Sequence, residues 1–339
     1  MEILAPQQVD IEVTSRCNLA CKLCPSLEDP RSGDMDPAAF HRILDRVAEE
    51  IPSAQVVPWL NGEPLLHPAY PSFLAHLREA GLKYYVTTNG TLDRAEVWAE
   101  LLHPASPAYQ VIFSLDGLPG PESRSIEIAR PGTNREALLK TISGFLLRKL
   151  ESRSPIQVAL KICERGQDWE EIENFIAWGL SQAGVDFVVV GKPLVGSNPV
   201  SMRIYPCQYS DHKFMVIKSD LRLVPCAYNQ AATRGDIINF GTYDGSDSIL
   251  AAYNNPAYTS FREAQARGAF PAPCASCAFP YTGAGWDGVV SFRAGPLAGV
   301  SLFHRGDYYN RFYSLRDRAK PLSFYTPTPR REAPTRPNL

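Results

Sequence analysis

Cys17, Cys21 and Cys24 form a C-x3-C-x2-C group directly after an alternating apolar run, Val9 to Val13. Three closely spaced thiols cannot all pair with one another as disulfides. Three thiolates do suit three corners of a cubane iron–sulfur cluster, and they leave the fourth iron open to chelate a substrate or a cofactor. The competing use is zinc, which needs a fourth ligand nearby. His41 is the nearest candidate, but it falls inside a predicted helix.

Four more cysteines lie far downstream: Cys207, Cys226, Cys274 and Cys277, spaced C-x18-C-x47-C-x2-C. Four thiolates from separated segments, two of them as C-x2-C, fit a fully ligated iron–sulfur cluster or a structural zinc. Cys163 belongs to neither set. It is either a small buried hydrophobe or a working thiol.

The rest of the chain must position these groups. It has 339 residues and a formal net charge of −2. That length suits one large α/β domain with a smaller companion. The charge argues against a nucleic-acid binder. No apolar run is long enough for a membrane span, and the N-terminus does not read as a signal peptide. Eight cysteines in such a chain point to a reducing compartment, so the expected location is the cytoplasm.

Six strands are expected at Val9–Thr14, Gln55–Leu60, Lys83–Thr88, Gln110–Ser114, Ile156–Cys163 and Asp186–Val190. Helices are expected between them. Asp36-Pro37 is an N-cap followed by an N1 proline, and Gly81 and Gly184 follow helix ends. Repeated strand–helix alternation predicts a parallel sheet with right-handed crossovers. The fold class is therefore α/β: a partial (β/α)6 TIM-like barrel over residues 1–192. A small cysteine-rich α+β extension over 193–285 follows, with a hairpin at Lys213–Ile217 and Arg222–Val224. Residues 286–339 form an aromatic and Arg-rich segment with a Pro/Arg-rich tail. In such barrels chemistry sits at the C-terminal ends of strands. Each polar or Gly-bearing cluster falls there: Asn61-Gly62-Glu63-Pro64, Thr88-Asn89-Gly90 and Ser114-Leu115-Asp116-Gly117. Any one of these alone is a turn.

Together, following C-x3-C-x2-C, these motifs resemble the radical S-adenosylmethionine (SAM) enzymes. The resemblance covers roughly residues 8–192. It implies that Cys17, Cys21 and Cys24 hold a [4Fe–4S] cluster with an open iron that chelates SAM. Gly62-Glu63-Pro64 resembles the Gly-Gly-Glu motif that meets the SAM amino group, with Asn61 in place of the first Gly. Thr88, Asn89, Ser114 and Asp116 resemble family strand ends, the last two near ribose and carboxylate. Arg130 resembles an Arg common after the fourth strand, and Val190 the sixth-strand end behind adenine. Leu23 departs from the family's frequent aromatic. The chemistry implied is reductive cleavage of SAM to a 5′-deoxyadenosyl radical that abstracts hydrogen from an unactivated C–H. The implied electron donor is of flavodoxin or ferredoxin type.

The downstream cysteines resemble the "twitch" form of the SPASM extension, which implies one auxiliary [4Fe–4S] cluster on Cys207, Cys226, Cys274 and Cys277. Aminoglycoside-pathway dehydrogenases and epimerases carry this extension. The expected substrate is a sugar or aminocyclitol, and the expected reaction is oxidation at a carbinol carbon with the electron passing to that cluster. The alternatives are redox-neutral epimerisation with Cys163 as hydrogen-atom donor, decarboxylation of a sugar acid, modification of a peptide, or a non-enzymatic zinc protein. No N-terminal recognition extension of the kind common in peptide modifiers is evident. Lys161, Glu164, Arg165, Lys192, Arg203 and Tyr205, at strand ends or on the connecting segment, are the candidate substrate contacts.

Overall fold

The computed structural model describes residues 3–21, 24, 33–118, 125–164, 168–191, 207, 214–227, 238–275, 287–291, 300–305 and 310–315. Their architecture is mixed α/β around one sheet in which parallel pairing dominates. The first six strands are β1 (Gln8–Ile11), β2 (Gln55–Val57), β3 (Tyr84–Thr88), β4 (Ala108–Ser114), β5 (Gln157–Cys163) and β6 (Phe187–Gly191). They lie side by side in chain order, each parallel to the next. This is the arrangement expected from the strand–helix alternation, and it sets all their C-terminal ends at one edge of the sheet.

The crossovers are α1 (Pro37–Glu50), α2 (Tyr70–Glu79), α3 (Ala95–Leu101), the short α4 (Ser125–Ala129), α5 (Arg135–Ser152) and α6 (Trp169–Ser181). Local chemistry starts them where the sequence predicts. The Asp36 side chain accepts from the Ala39 N–H with Pro37 at the first helical position, and Asn134 accepts from the Ala137 N–H. Alternate strand residues bury against these helices. Val9 and Ile11, Tyr84 and Val86, Val111 and Phe113, and Val158, Leu160 and Ile162 share one core with Phe40, Phe73, Trp98, Phe145 and Phe175. The intervening residues Ile112, Ala159, Phe187 and Val189 cluster on the opposite face. That face carries Lys161 and Cys163 by the same alternation.

Residues beyond β6 add strands to both edges. β7 (Phe214–Ile217) pairs parallel with β1, and β8 (Leu223–Val224) turns back antiparallel on β7. This is the hairpin expected from the sequence. β9 (Asp287–Ser291), β10 (Val300–Arg305) and β11 (Asn310–Leu315) form an antiparallel meander whose last strand joins β6. These three strands were not expected: the stretch reads by composition as an aromatic and Arg-rich segment, and its alternation is broken by charges. Helices Ile249–Tyr253, Pro256–Ala266 and Ala272–Ala275 complete the described chain. Tyr258 of the second packs on Phe240 and donates to the Phe214 carbonyl, which holds that helix against β7. Among the described residues no helix is long and apolar enough to cross a membrane.

A fully buried ion pair locks β7 to β1. Lys218 and Glu12, just past the ends of the two strands, meet with both side chains out of water. Ser219 adds a hydroxyl donation to the second Glu12 oxygen at 3.0 Å.

Candidate active site

The cysteine loop leaves β1 through a closed stem. The Ser15 N–H donates to the Gly33 carbonyl at 2.9 Å, the Gly33 N–H returns to Ser15 Oγ at 2.8 Å, and Thr14 Oγ1 donates to Asp34 at 2.6 Å. Arg16 pairs with Asp34 and also donates to the Leu66 carbonyl. The loop then meets the end of β2. Gly62 has φ +84°, and a Cβ there would lie 2.5 Å from the Thr14 carbonyl oxygen and 2.7 Å from that of Arg16. Only glycine lets the two backbones press together this closely. The next N–H, of Glu63, donates to the Arg16 carbonyl at 2.8 Å.

Glu63 is buried, and its carboxylate gathers the ends of β2 and β3. One oxygen accepts from the Leu65 N–H at 3.2 Å and from Thr88 Oγ1 at 2.8 Å. The other accepts from the Asn89 N–H at 2.7 Å. Burial raises its pKa above the ordinary carboxylate value, against the pull of these donors. Its first duty is therefore to shape the site. Pro64 opens a buried 3-10 turn, Pro64–Leu66.

Asn89 faces the cysteine loop. Its Nδ2 donates to Asn18 Oδ1 at 2.9 Å and reaches Cys17 Sγ at 3.9 Å, while its Oδ1 accepts from the Thr91 N–H and hydroxyl. Asn18 in turn donates to Thr91 at 2.8 Å. Asn18, Thr91 and Arg16 were missed by the sequence reading. Their signal was position alone, since Arg16 and Asn18 flank Cys17.

A second group forms at the ends of β4 and β5. Arg130, at the end of α4, pairs with Asp116 at 2.9 Å, donates to Ser114 Oγ at 2.8 Å and also to the Ser114 carbonyl. The other Asp116 oxygen accepts from the Cys163 N–H at 3.1 Å. Asp116 holds φ +62°, a left-handed conformation that Asp tolerates better than most residues. Burial works against the charge on Arg130, but Asp116 and the thiols of Cys21 and Cys163 outweigh it and hold its pKa above the usual value.

Both groups act on the cysteine loop. Burial raises the pKa of Cys17, and the nearby Glu63 charge adds to the effect. Burial pushes Cys21 up to about 11; Arg130 opposes the rise, while Asp116, Cys24 and Cys17 reinforce it. Cys17 lies within reach of Asn89 Nδ2 at 3.9 Å, and the charges of Asp116 and Arg130 act on Cys21. Thiols this reluctant to ionise release their protons when a metal binds. Among the described residues no group of three His, Cys, Asp or Glu side chains has converged around a metal position. The donor set is nevertheless three thiols, with the Glu63 and Asp116 carboxylates held by other partners, and this fits an iron–sulfur cluster. His41 is not part of it: its ring lies against Phe73 and His76 on α1 and α2.

Of the other candidate residues, Val190 packs its side chain into the helix-facing core, so at the end of β6 it offers only backbone. Glu164 donates its N–H to the Gly191 carbonyl at 2.7 Å, and the Lys161 carbonyl accepts from the Leu115 and Asp116 N–H groups. Leu23, Arg165, Lys192, Arg203, Tyr205 and Cys277 lie outside the described residues. Cys207, Cys226 and Cys274 are half-buried. The Cys207 N–H donates to Gln265 Oε1 at 3.2 Å, and Cys274 lies in the helix Ala272–Ala275 that follows Gln265 in the chain. Cys226 follows β8, whose Leu223 exchanges backbone bonds with Phe240 and Gly241.

Residues 11–144 match the family model described as the Radical SAM superfamily. Over that stretch the chain is similar to the radical SAM superfamily. Members use a [4Fe–4S] cluster and SAM. The chain is 24% identical over 254 residues to the tungsten-containing aldehyde ferredoxin oxidoreductase cofactor-modifying protein of Pyrococcus furiosus, over 64% of this chain and 69% of that protein. SuiB of Streptococcus suis, solved bound to S-adenosylmethionine, superposes with a TM-score of 0.59 at 16% identity, over 76% of this chain and 68% of that one. BtrN, solved in complex with AdoMet and 2-DOIA, superposes with a TM-score of 0.50 at 16% identity, over 82% and 94%. At these identities the structural likeness is one of fold.

Proposed function

We propose that this radical SAM enzyme oxidises a carbinol carbon of a sugar or aminocyclitol. In this reading Cys17, Cys21 and Cys24 hold the SAM-binding cluster, and Cys207, Cys226, Cys274 and Cys277 hold an auxiliary [4Fe–4S] cluster. The observation that carries it is the placement of Cys17 within 3.9 Å of Asn89, whose N–H holds the Glu63 carboxylate, at the C-terminal end of the sheet. When bound, cluster and SAM together supply hydrogen-atom abstraction from an unactivated C–H. The chain's own residues do the rest. Gly62 and Glu63 hold the β2 loop against the stem of the cysteine loop, and Asn89 and Asn18 orient Cys17. Arg130 and Asp116 present a fixed charge pair to the carboxylate and ribose end of SAM. The barrel keeps water from the reacting carbon. A fully ligated second cluster suits the role of electron acceptor, which favours oxidation over a redox-neutral outcome.

A peptide substrate is the second reading. It is favoured by the likeness to SuiB, which has also been solved bound to its precursor peptide SuiA. Anaerobic reconstitution followed by iron and sulfide counting tests the cofactor assignment: about eight irons per chain support two clusters, and tightly bound zinc without iron refutes them. Turnover with aminocyclitols against peptides then separates the substrates. Cys163→Ala separates oxidation, which it leaves intact, from epimerisation, which it abolishes.

A further inference from the structure

We propose that Asn61 is a positioning residue that fixes the loop of Cys226 against the loop facing Cys17. The inference rests on the reading of Cys226 as an auxiliary-cluster ligand. Asn61 stands where the Gly-Gly-Glu motif carries glycine, which has no side chain to offer. Here Asn61 is buried, and its Nδ2 donates to the Ala227 carbonyl at 3.4 Å, across 166 residues of chain. Ala227 is buried and follows Cys226 directly. On its other side Asn61 leads through Gly62 to Glu63, whose N–H donates to the Arg16 carbonyl at 2.8 Å, and Arg16 precedes Cys17. The path Cys17, Arg16, Glu63, Gly62, Asn61, Ala227, Cys226 therefore contains two non-covalent links, of 2.8 Å and 3.4 Å. The Glu12–Lys218 pair is a separate brace: it fastens the turn of the same hairpin to the strand that leads into the cysteine loop. The brace fixes the hairpin's turn, and the Asn61 bond fixes the open end that bears the thiol. Between them the separation of the two cysteine sets is set by side chains.

The test is hydrogen exchange on the anaerobically reconstituted full chain, comparing Asn61→Ala and Asn61→Gly with the parent. Peptides covering residues 223–227 are expected to exchange about fivefold faster in both variants, the size of one lost hydrogen bond. Those covering 8–14 and 84–88 should be unchanged. Iron content should hold, while the electron paramagnetic resonance line shape of the second cluster changes and 5′-deoxyadenosine forms in excess over product. Unchanged exchange at 223–227, or an increase spread evenly over the sheet, overturns the proposal. An iron count near four irons in the parent chain overturns the two-cluster reading instead, and the exchange data still report on the Asn61 bond.

Discussion

Asp116 and Arg130 form a 2.9 Å ion pair with side chains only 3% and 6% exposed, and the other oxygen of Asp116 holds the Cys163 N–H. One buried charge pair thus joins the ends of β4 and β5 and leans on Cys21. Removing one partner of such a pair leaves the other charged and out of water, at a cost of about 3–5 kcal/mol. Asp116→Asn keeps the shape and tolerates the left-handed backbone, so it isolates the charge. Urea unfolding should show a loss of this order, together with weakened SAM binding.

Gly62→Ala is expected to displace the cysteine loop, because the new methyl group would meet backbone at 2.5 Å and 2.7 Å, and backbone cannot swing away. Iron incorporation at the first site should fall several-fold. Gly81→Ala is the control. It has a similar positive φ of +66° but open space around the added atom, so it should cost only about 1–2 kcal/mol of backbone strain and leave iron loading unchanged.

Asp10 supplies a pH signature. Burial raises its pKa from 3.8 to about 7, against a hydrogen bond from Gln8. The folded chain keeps this proton over a range where the unfolded chain has released it. Stability from this group is therefore full below about pH 4, falls as pH rises toward 7 and is lost above that. Asp10→Asn removes the loss. Urea denaturation at several pH values should show the variant more stable than the parent at pH 8, by an amount on the order of 4 kcal/mol, and the gap should close by pH 4.

Lys218→Met strands the Glu12 carboxylate in the interior and should destabilise the chain by about 3–5 kcal/mol. The double variant Glu12→Leu with Lys218→Met replaces both charges with apolar groups and should recover most of that loss. A thermal or chemical unfolding cycle over the four proteins measures the difference. Equal losses in the single and double variants would contradict the pairing.

The parallel order of β1 to β6 was legible because a helical pattern separates each strand from the next, with side-chain caps at Asp36 and Asn134, and local signals of that kind survive without an alignment. Glu63, Thr88, Asn89, Ser114 and Asp116 were legible as strand-end residues and Arg130 as one that follows the fourth strand, and the structure gathers them into two groups. What was not legible depends on distance or phase. The Glu12–Lys218 pair spans 206 residues, and nothing local says that β7 returns to β1. Val190 sits in a run of three valines, where every residue is apolar and the alternation cannot tell one face from the other. The meander β9 to β11 is built of short segments whose strand character comes from pairing with β6 and with one another. Asn18 and Thr91 are ordinary polar residues until the fold brings them to Asn89.

The most direct test of the account is cleavage of SAM. The reconstituted chain, held without oxygen and given SAM and a strong reductant, should produce 5′-deoxyadenosine and methionine, and Cys17→Ala, Cys21→Ala and Cys24→Ala should each abolish both products. A chain that carries its iron and sulfide, binds SAM and still forms no 5′-deoxyadenosine under these conditions would contradict it.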